Sequence, residues 1–365
     1  MRAPNEIDFW RGFALLTIFI NHVPGIIFER FTSRNFMLGD SAEMFVFLAG
    51  CSMRFVVGAG EKRAPMRDVS FRLLGRAVQI YAAQTLITMV ALALLAASAM
   101  FLAQPALLDW HNAGPVFHEP VETHIGLVLL THQLGYFNIL PLYIVLMIGA
   151  PLIAFLDRIS PWLLLTVSAA LWFAVLITGF NLPTWPIEGT WFFNPLGWQF
   201  IYVCGFVLAG REGPGAFARR HIRWIRIAAA PFVVLGAISA WHGYSPSPGD
   251  VPSPKLVFLF NKTFDSPART LQFLCVVAVV HGLWARLPAW FDHISEYFAR
   301  IGRNSLEVFC VCSVLSLCGQ IAGYIYGGGI ARDTLVLSIG IVVMGFSAWL
   351  TEWRARSRAS SSSQA

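Results

Sequence analysis

Charge is what this sequence has least of. Asp, Glu, Lys and Arg make up 13% of its 365 residues, where a soluble domain carries about a quarter. Hydrophobic residues make up 56%, and the mean hydropathy is +0.63. So little charge cannot cover a water-exposed surface of this size, which excludes an ordinary soluble globule. A sustained alternation of apolar and polar residues is also missing, and a transmembrane barrel would need it. No internal repeat is visible, which removes solenoids and propellers. The six cysteines (51, 204, 275, 310, 312 and 318) form no C-x-x-C pair. They read as buried inert thiols. The first apolar segment lacks a small-residue cleavage site and carries Asp8, Arg11 and His22. It therefore reads as a retained helix and not as a removable signal.

What is present instead is a series of apolar windows near twenty residues long, the transmembrane-helix signature. Ten spans are expected: 9–28, 40–58, 77–101, 136–156, 161–180, 191–209, 224–241, 268–287, 305–326 and 333–353. The expected fold class is an all-α polytopic membrane bundle with both termini in the cytoplasm. The membrane domain covers 1–353, and "RARSRASSSSQA" at 354–365 reads as a disordered Ser/Arg-rich tail. With that topology, 20 of the 26 Lys and Arg fall inside and six outside, while the 20 acidic residues divide equally. A basic bias without an acidic one is how positive-inside sorting behaves. The formal charge of +6 thus reflects topology and gives no reason to expect nucleic-acid binding.

Ionisable groups within spans are costly, so they are functional candidates by default. They are Arg11, His22, Glu43, Arg76, Arg226, His281 and Glu307, with Arg54, Arg286 and Glu352 at span ends. The end group can snorkel to the interface, and Arg226 is expected to do the same. Arg11 and His22 are the hardest to dismiss. Eleven residues turn a helix through about 1100° and advance it about 16 Å, so the two side chains share one face. Asp8 lies within reach of Arg11, and Pro24 is expected to kink the helix beside His22. From geometry alone, an interfacial anchor and a core histidine explain the pair equally well.

The second span opens "GDSAEMFVFLAG", placing Asp40 and Glu43 three residues apart at its outer end. A short connection would put His22 and Glu43 at similar depth, where a carboxylate could orient the imidazole and improve it as a base. Asp40 as a helix cap and Glu43 as a protonated acid is the alternative. After the second span, Arg72 and Arg76 lie four apart. Guanidinium groups so spaced suit phosphates, and plain topology signalling explains them equally. "NLPTWPIEGTWFFNPLGWQF" sets Trp185, Trp191, Phe192, Phe193 and Trp198 around Asn194 and Gln199. These could hold a sugar ring or form an aromatic interface belt. The segment "DWHNAGPVFHEPVETHIG" gathers His111, His118, Glu119, Glu122 and His124, but their spacing matches no metal-binding pattern. No metal is expected.

Several segments are familiar together. "DFWRGFALLTIFINH" resembles the first helix of the membrane acyltransferase-three superfamily, marked by arginine, ten residues, then histidine. With "DSAEMFVFLAG", "NILPLYIVL", "FFNPLGWQF" and "IGRNSLEVFCVCSVLS", the chain resembles the OpgC branch, succinyltransferases of osmoregulated periplasmic glucans. The resemblance implies transfer of an acyl group, for this branch succinyl, from cytoplasmic acyl-CoA to a hydroxyl of a periplasmic glucan or other envelope glycan, in a bacterial inner membrane. It maps the superfamily histidine to His22 and its arginine to Arg11. Two departures stand out. Arg72 and Arg76 are one residue further apart than the superfamily's basic pair, and Gln84 stands where this branch would carry histidine. The expected roles are His22 as base supported by Glu43 or Asp40, and Arg11, Arg72 and Arg76 on the donor's phosphates. Asn194, Trp198 and Gln199 would hold the acceptor. Arg34 or Arg269 would meet the free carboxylate of a succinyl donor. Acyl-CoA is expected as co-substrate, with no other cofactor. A proton-coupled secondary transporter is the alternative, because intramembrane His, Glu and Arg also build proton relays.

Overall fold

The computed structural model describes residues 5–58, 64–284 and 288–362. Arg2, Lys62, Arg63 and Arg286, counted above among the inside cations, lie outside the described residues, as do the end of the 268–287 span and residues 363–365. Among the described residues the fold is helical, without a β-strand. In chain order the helices are α1 (Glu6–Asn21), α2 (Ser41–Val57), α3 (Met66–Phe101), α4 (Gly114–His118), α5 (Pro120–Leu129), α6 (Ile139–Ile159), α7 (Pro161–Thr178), α8 (Pro195–Ala209), α9 (Gly213–Arg220), α10 (Ile222–Trp241), α11 (Lys255–Phe258), α12 (Pro267–Val280), α13 (Asp292–Arg303), α14 (Ser305–Tyr326) and α15 (Ile330–Ser362). Each of the ten apolar windows meets a helix. Six helices, α3, α6, α7, α10, α14 and α15, are long and apolar enough to cross a bilayer, so the chain is a multi-pass membrane protein. The other four, α1, α2, α8 and α12, have 14 to 17 residues.

The chain divides into two compact units, one from residues 1–33 with 281–365 and one from 34–280. In the first unit, α1 lies along α13. Gly12 and Gly302 make the approach possible: a Cβ at Gly12 would collide with the Phe298 carbonyl, and one at Gly302 with the Asp8 carbonyl. Close backbone approach through small residues is how helices associate without a hydrophobic driving force. Edge-on rings seal the crossing, with Phe9 and Phe298 centroids 5.5 Å apart. Helix α14 also packs on α1, where the Ser316 hydroxyl donates to the Phe19 carbonyl.

Helix α1 starts at an Asn5 cap, whose side chain accepts the Asp8 N–H at 2.9 Å. It stops at Asn21, short of the expected end at 28, with His22 as its C-cap. Pro24 has no N–H to continue the ladder and Gly25 turns left-handed at φ 78. The chain therefore ends the helix where a kink was expected. Asp333 of α15 then accepts the Ile27 N–H at 2.8 Å and holds the next turn. At the other end of this unit, Arg303 bonds Glu352 at 2.9 Å, so Glu352 is buried and paired and does not snorkel. The 354–365 segment, expected to be disordered, continues α15 through Ser362. Propagating an existing helix costs far less than nucleating one.

In the second unit, α2 crosses α8 through a second glycine pair. A Cβ at Gly50 would meet the Tyr202 carbonyl, and one at Gly205 the Phe47 carbonyl. Arg54, at the end of α2, also departs from the snorkelling expectation. It is buried and bidentate to Asp157 of α6 at 2.7 and 2.8 Å, with its guanidinium 4.2 Å from the Phe206 ring centroid. Burial of the Asp157 carboxylate demands such a partner. Arg226 likewise turns inward, donating to the Ala278 carbonyl near the end of α12. Helix α7 packs on α8 through Trp172, stacked on Phe200 at 4.4 Å. Its indole N–H donates to the Asp265 carbonyl at 3.1 Å.

Candidate active site

In the first unit the candidate residues ride on α1. The helix is unbroken from Glu6 to Asn21, so Arg11 and His22 keep the shared face and the separation of about 16 Å that helix geometry gives. Both are half-buried. His22 N–H closes the helix on the Ile18 carbonyl at 2.9 Å. The His22 carbonyl accepts a bond from the Gln320 side chain of α14. Gln320 was not singled out by the sequence, because a glutamine within an apolar span carries no pattern. Asp8 is wholly buried beneath the α13 crossing. Near the start of α1, Glu6 accepts the Gly282 N–H at 2.6 Å and lies 3.4 Å from His281. His281 is thereby an exposed partner of an acid.

In the second unit Asp40 and Glu43 do come together, and with two cations. Asp40 caps α2, accepting the Ala42 N–H at 2.8 Å, while Glu43 reaches back to the Asp40 N–H at 2.7 Å. This is a complete capping box. Arg269 of α12 donates to the other Glu43 oxygen through Nε at 2.8 Å and through a terminal nitrogen, and lies 3.7 Å from Asp40. Lys262 completes the group with a 2.5 Å bond to Asp40. Glu43 is fully buried, Arg269 nearly so, and Lys262 partly open beside the Phe192 and Phe193 rings. Both Glu43 oxygens are thus engaged within this unit. Lys262 was missed because it lies in a loop, between apolar windows, with no motif around it.

The expected acceptor residues are used for structure. Trp198 is wholly buried, and its indole N–H donates to the Lys262 carbonyl at 3.0 Å. Asn194 is also buried. It caps α8 by accepting the Leu196 N–H, donates its side-chain amide to the Phe180 carbonyl at 2.7 Å, and donates its own backbone N–H to the Thr263 carbonyl at 2.9 Å. Gln199 is bound to Ser168 of α7 through both amide ends, at 2.6 and 2.9 Å. Backbone carbonyls buried between helices need donors, and these two amides and the indole each supply one, so their bonds hold α8 to α7 and to the loop at Lys262–Thr263. Arg34 is exposed in a short 3-10 turn. Arg72 is exposed on the first turns of α3, and Arg76, one turn on, bonds Gln79 at 2.6 Å. Gln84 is buried and donates to Thr88 of the same helix.

The segment between α3 and α6 is folded, not loose. His132 is buried there against the Asn112 carbonyl at 2.9 Å, and burial holds its pKa below the ordinary 6.5 against that bond's opposite pull. His118 lies 3.3 Å from Asp109 and His124 reaches the Pro120 carbonyl. Among the described residues no three or more His, Cys, Asp and Glu side chains gather as ligands for a metal ion.

Among curated proteins and among solved structures nothing matches the chain. A family does. The family described as OpgC protein matches residues 3–356, which takes in α1 with its Arg11 and His22, the α2 capping box, and all but the end of α15. With nearly the whole chain matched, this protein belongs to the OpgC family.

Proposed function

We propose that this protein is a membrane O-acyltransferase that moves an acyl group, succinyl by family analogy, from cytoplasmic acyl-CoA to a hydroxyl of a periplasmic glucan or related envelope glycan. The observation that carries the reading is α1 itself: within a family match covering nearly the whole chain, one unbroken helix, capped by His22, puts Arg11 and His22 on one face. The ten helices would all cross the bacterial inner membrane, with both termini in the cytoplasm, as the 20-to-6 division of basic residues favours. The donor's phosphates meet Arg11, Arg72 and Arg76 on the cytoplasmic side, as bidentate guanidinium contacts suit them.

His22 takes the proton from the acceptor hydroxyl. The alkoxide forms its bond to the thioester carbonyl carbon, the C–S bond breaks, and CoA leaves as thiolate. A thiol pKa near 8.5 makes it a good leaving group, and the imidazolium returns its proton to the thiolate or to solvent. Asp40 and Glu43 enter as carboxylates already partnered, so the base role rests on His22. For the carboxylate of a succinyl donor, Arg34 or Arg269 is the proposed cation; Arg269 would have to exchange its Glu43 bonds to meet it, and the partly open Lys262 is a third candidate.

The test is thiol release from succinyl-CoA by purified protein in lipid nanodiscs, with and without unsubstituted periplasmic glucan, followed by mass spectrometry of the glucan. Release that rises with glucan, and a succinyl ester on the product, support the reading. Uptake of a labelled solute without thiol release would replace it with the transporter alternative, to which the family match lends no support.

A further inference from the structure

Asn194, Trp198 and Gln199 each bond within the fold, and a glycan chain is long enough to need further contacts. The connection from Leu102 to Asn138 has the chemistry for them. No Lys or Arg occurs between Arg76 and Arg158, so this stretch offers an anion no cation. It offers aromatic rings and amides instead. Trp110, His111 and Tyr136 form a chain of edge-on rings, with centroids 5.6 Å apart for the first pair and 5.0 Å for the second. All three are half-buried, and Asn112 beside them is exposed. Rings that pack on one edge and show the other suit the C–H faces of a sugar, and neighbouring amides suit its hydroxyls.

The backbone at this node is held in a costly shape. Five of the six non-glycine residues with positive φ among the described residues fall in this connection, including His111 (φ 55), Asn112 (φ 65) and Tyr136 (φ 65). Such conformations persist only where surrounding bonds over-determine them, and they cluster at binding sites. Here the Gly135 N–H bonds the His111 carbonyl at 2.8 Å, His132 meets the Asn112 carbonyl, and the Asn112 amide reaches the Gln133 carbonyl at 3.3 Å. The next loop is fastened on as well. Thr131 and the Trp185 backbone exchange two bonds, at 3.0 and 3.2 Å, and the Trp185 ring is exposed.

We propose that the Trp110–His111–Tyr136 node, with Asn112, is a binding subsite for a neutral glycan chain, the acceptor in the acyltransferase reading on which this inference rests. The rings stack on successive sugar faces and the amide bonds their hydroxyls, independently of the donor.

Equilibrium binding of purified unsubstituted periplasmic glucan to the full protein in nanodiscs, without any acyl donor, tests it. Trp110→Ala and Tyr136→Ala are each expected to weaken binding by roughly three- to tenfold, the factor for one lost aromatic contact. Trp110→Phe, which keeps a ring, should lose less, and it serves where an alanine variant fails to fold. Wild-type affinity in the folded variants, or no glucan binding by the wild type, overturns the subsite. The two readings fail separately. Glucan bound at this node without acyl transfer sinks the acyltransferase and leaves the subsite. Acyl transfer with unchanged binding in the variants sinks the subsite and leaves the enzyme.

Discussion

Gly12 of α1 and Gly302 of α13 meet at a single crossing, each against the other helix's main chain. Arg11, the expected donor-binding residue, is the immediate neighbour of Gly12, so the same contact that joins the helices fixes the direction in which Arg11 leaves α1. Gly50 and Gly205 repeat the arrangement between α2 and α8 in the other unit.

A methyl group at either crossing has nowhere to go. Gly12→Ala and Gly302→Ala should each lower stability by about 1–3 kcal/mol, the usual cost of overpacking. Gly75→Ala on α3 meets open space and should be neutral or raise stability by up to about 1 kcal/mol through helix propensity. Thermal unfolding in detergent separates these, and equal effects at all three positions would refute the crossing.

Arg54→Met strands the buried Asp157 carboxylate and should cost about 3–5 kcal/mol, whereas Arg54→Met with Asp157→Leu should cost much less than the single change. The double-mutant cycle in denaturant or heat measures the coupling. Additive losses would mean that the pair contributes nothing jointly.

Replacing the proposed base has a size. His22→Ala should lower kcat for acyl transfer about 10²–10⁴-fold, as loss of general base catalysis does. Gln320→Leu releases the His22 carbonyl without touching the ring, and should lower kcat by about tenfold with KM for acyl-CoA unchanged. A rise in KM alone would show that Gln320 serves donor binding or the fold and does not position the base.

His132 gives a pH dependence of known sign. Its folded pKa lies below the ordinary 6.5 because burial disfavours the charged ring. The unfolded chain therefore binds the proton more readily. The contribution to stability is complete above pH 6.5 and falls as pH drops through 6.5 toward the folded value. His132→Asn should flatten the stability profile of the 102–138 connection over that window, read by hydrogen exchange of its amides. An unaltered slope would assign the acid sensitivity to another group.

The sequence by itself determined the class of the protein. Missing charge forced a membrane, apolar windows placed ten helices, and the positions of Arg11 and His22 on one face followed from 3.6 residues per turn. These are local quantities, set by what neighbours along the chain must do in lipid. Pro24 was visible too, but whether it kinks or ends α1 depends on what receives the next turn, here Asp333 more than 300 residues away. The tertiary structure alone decided which polar groups are open. That Asn194, Trp198 and Gln199 each donate to a buried carbonyl is visible only in three dimensions. Arg54 and Glu352 look like interface anchors and are locked into ion pairs. Lys262 and the left-handed His111–Asn112 turn gave no sign at all. The reason is that hydrogen-bond partners and charge partners are distant in sequence, and a buried polar group's role is fixed by the partner that satisfies it.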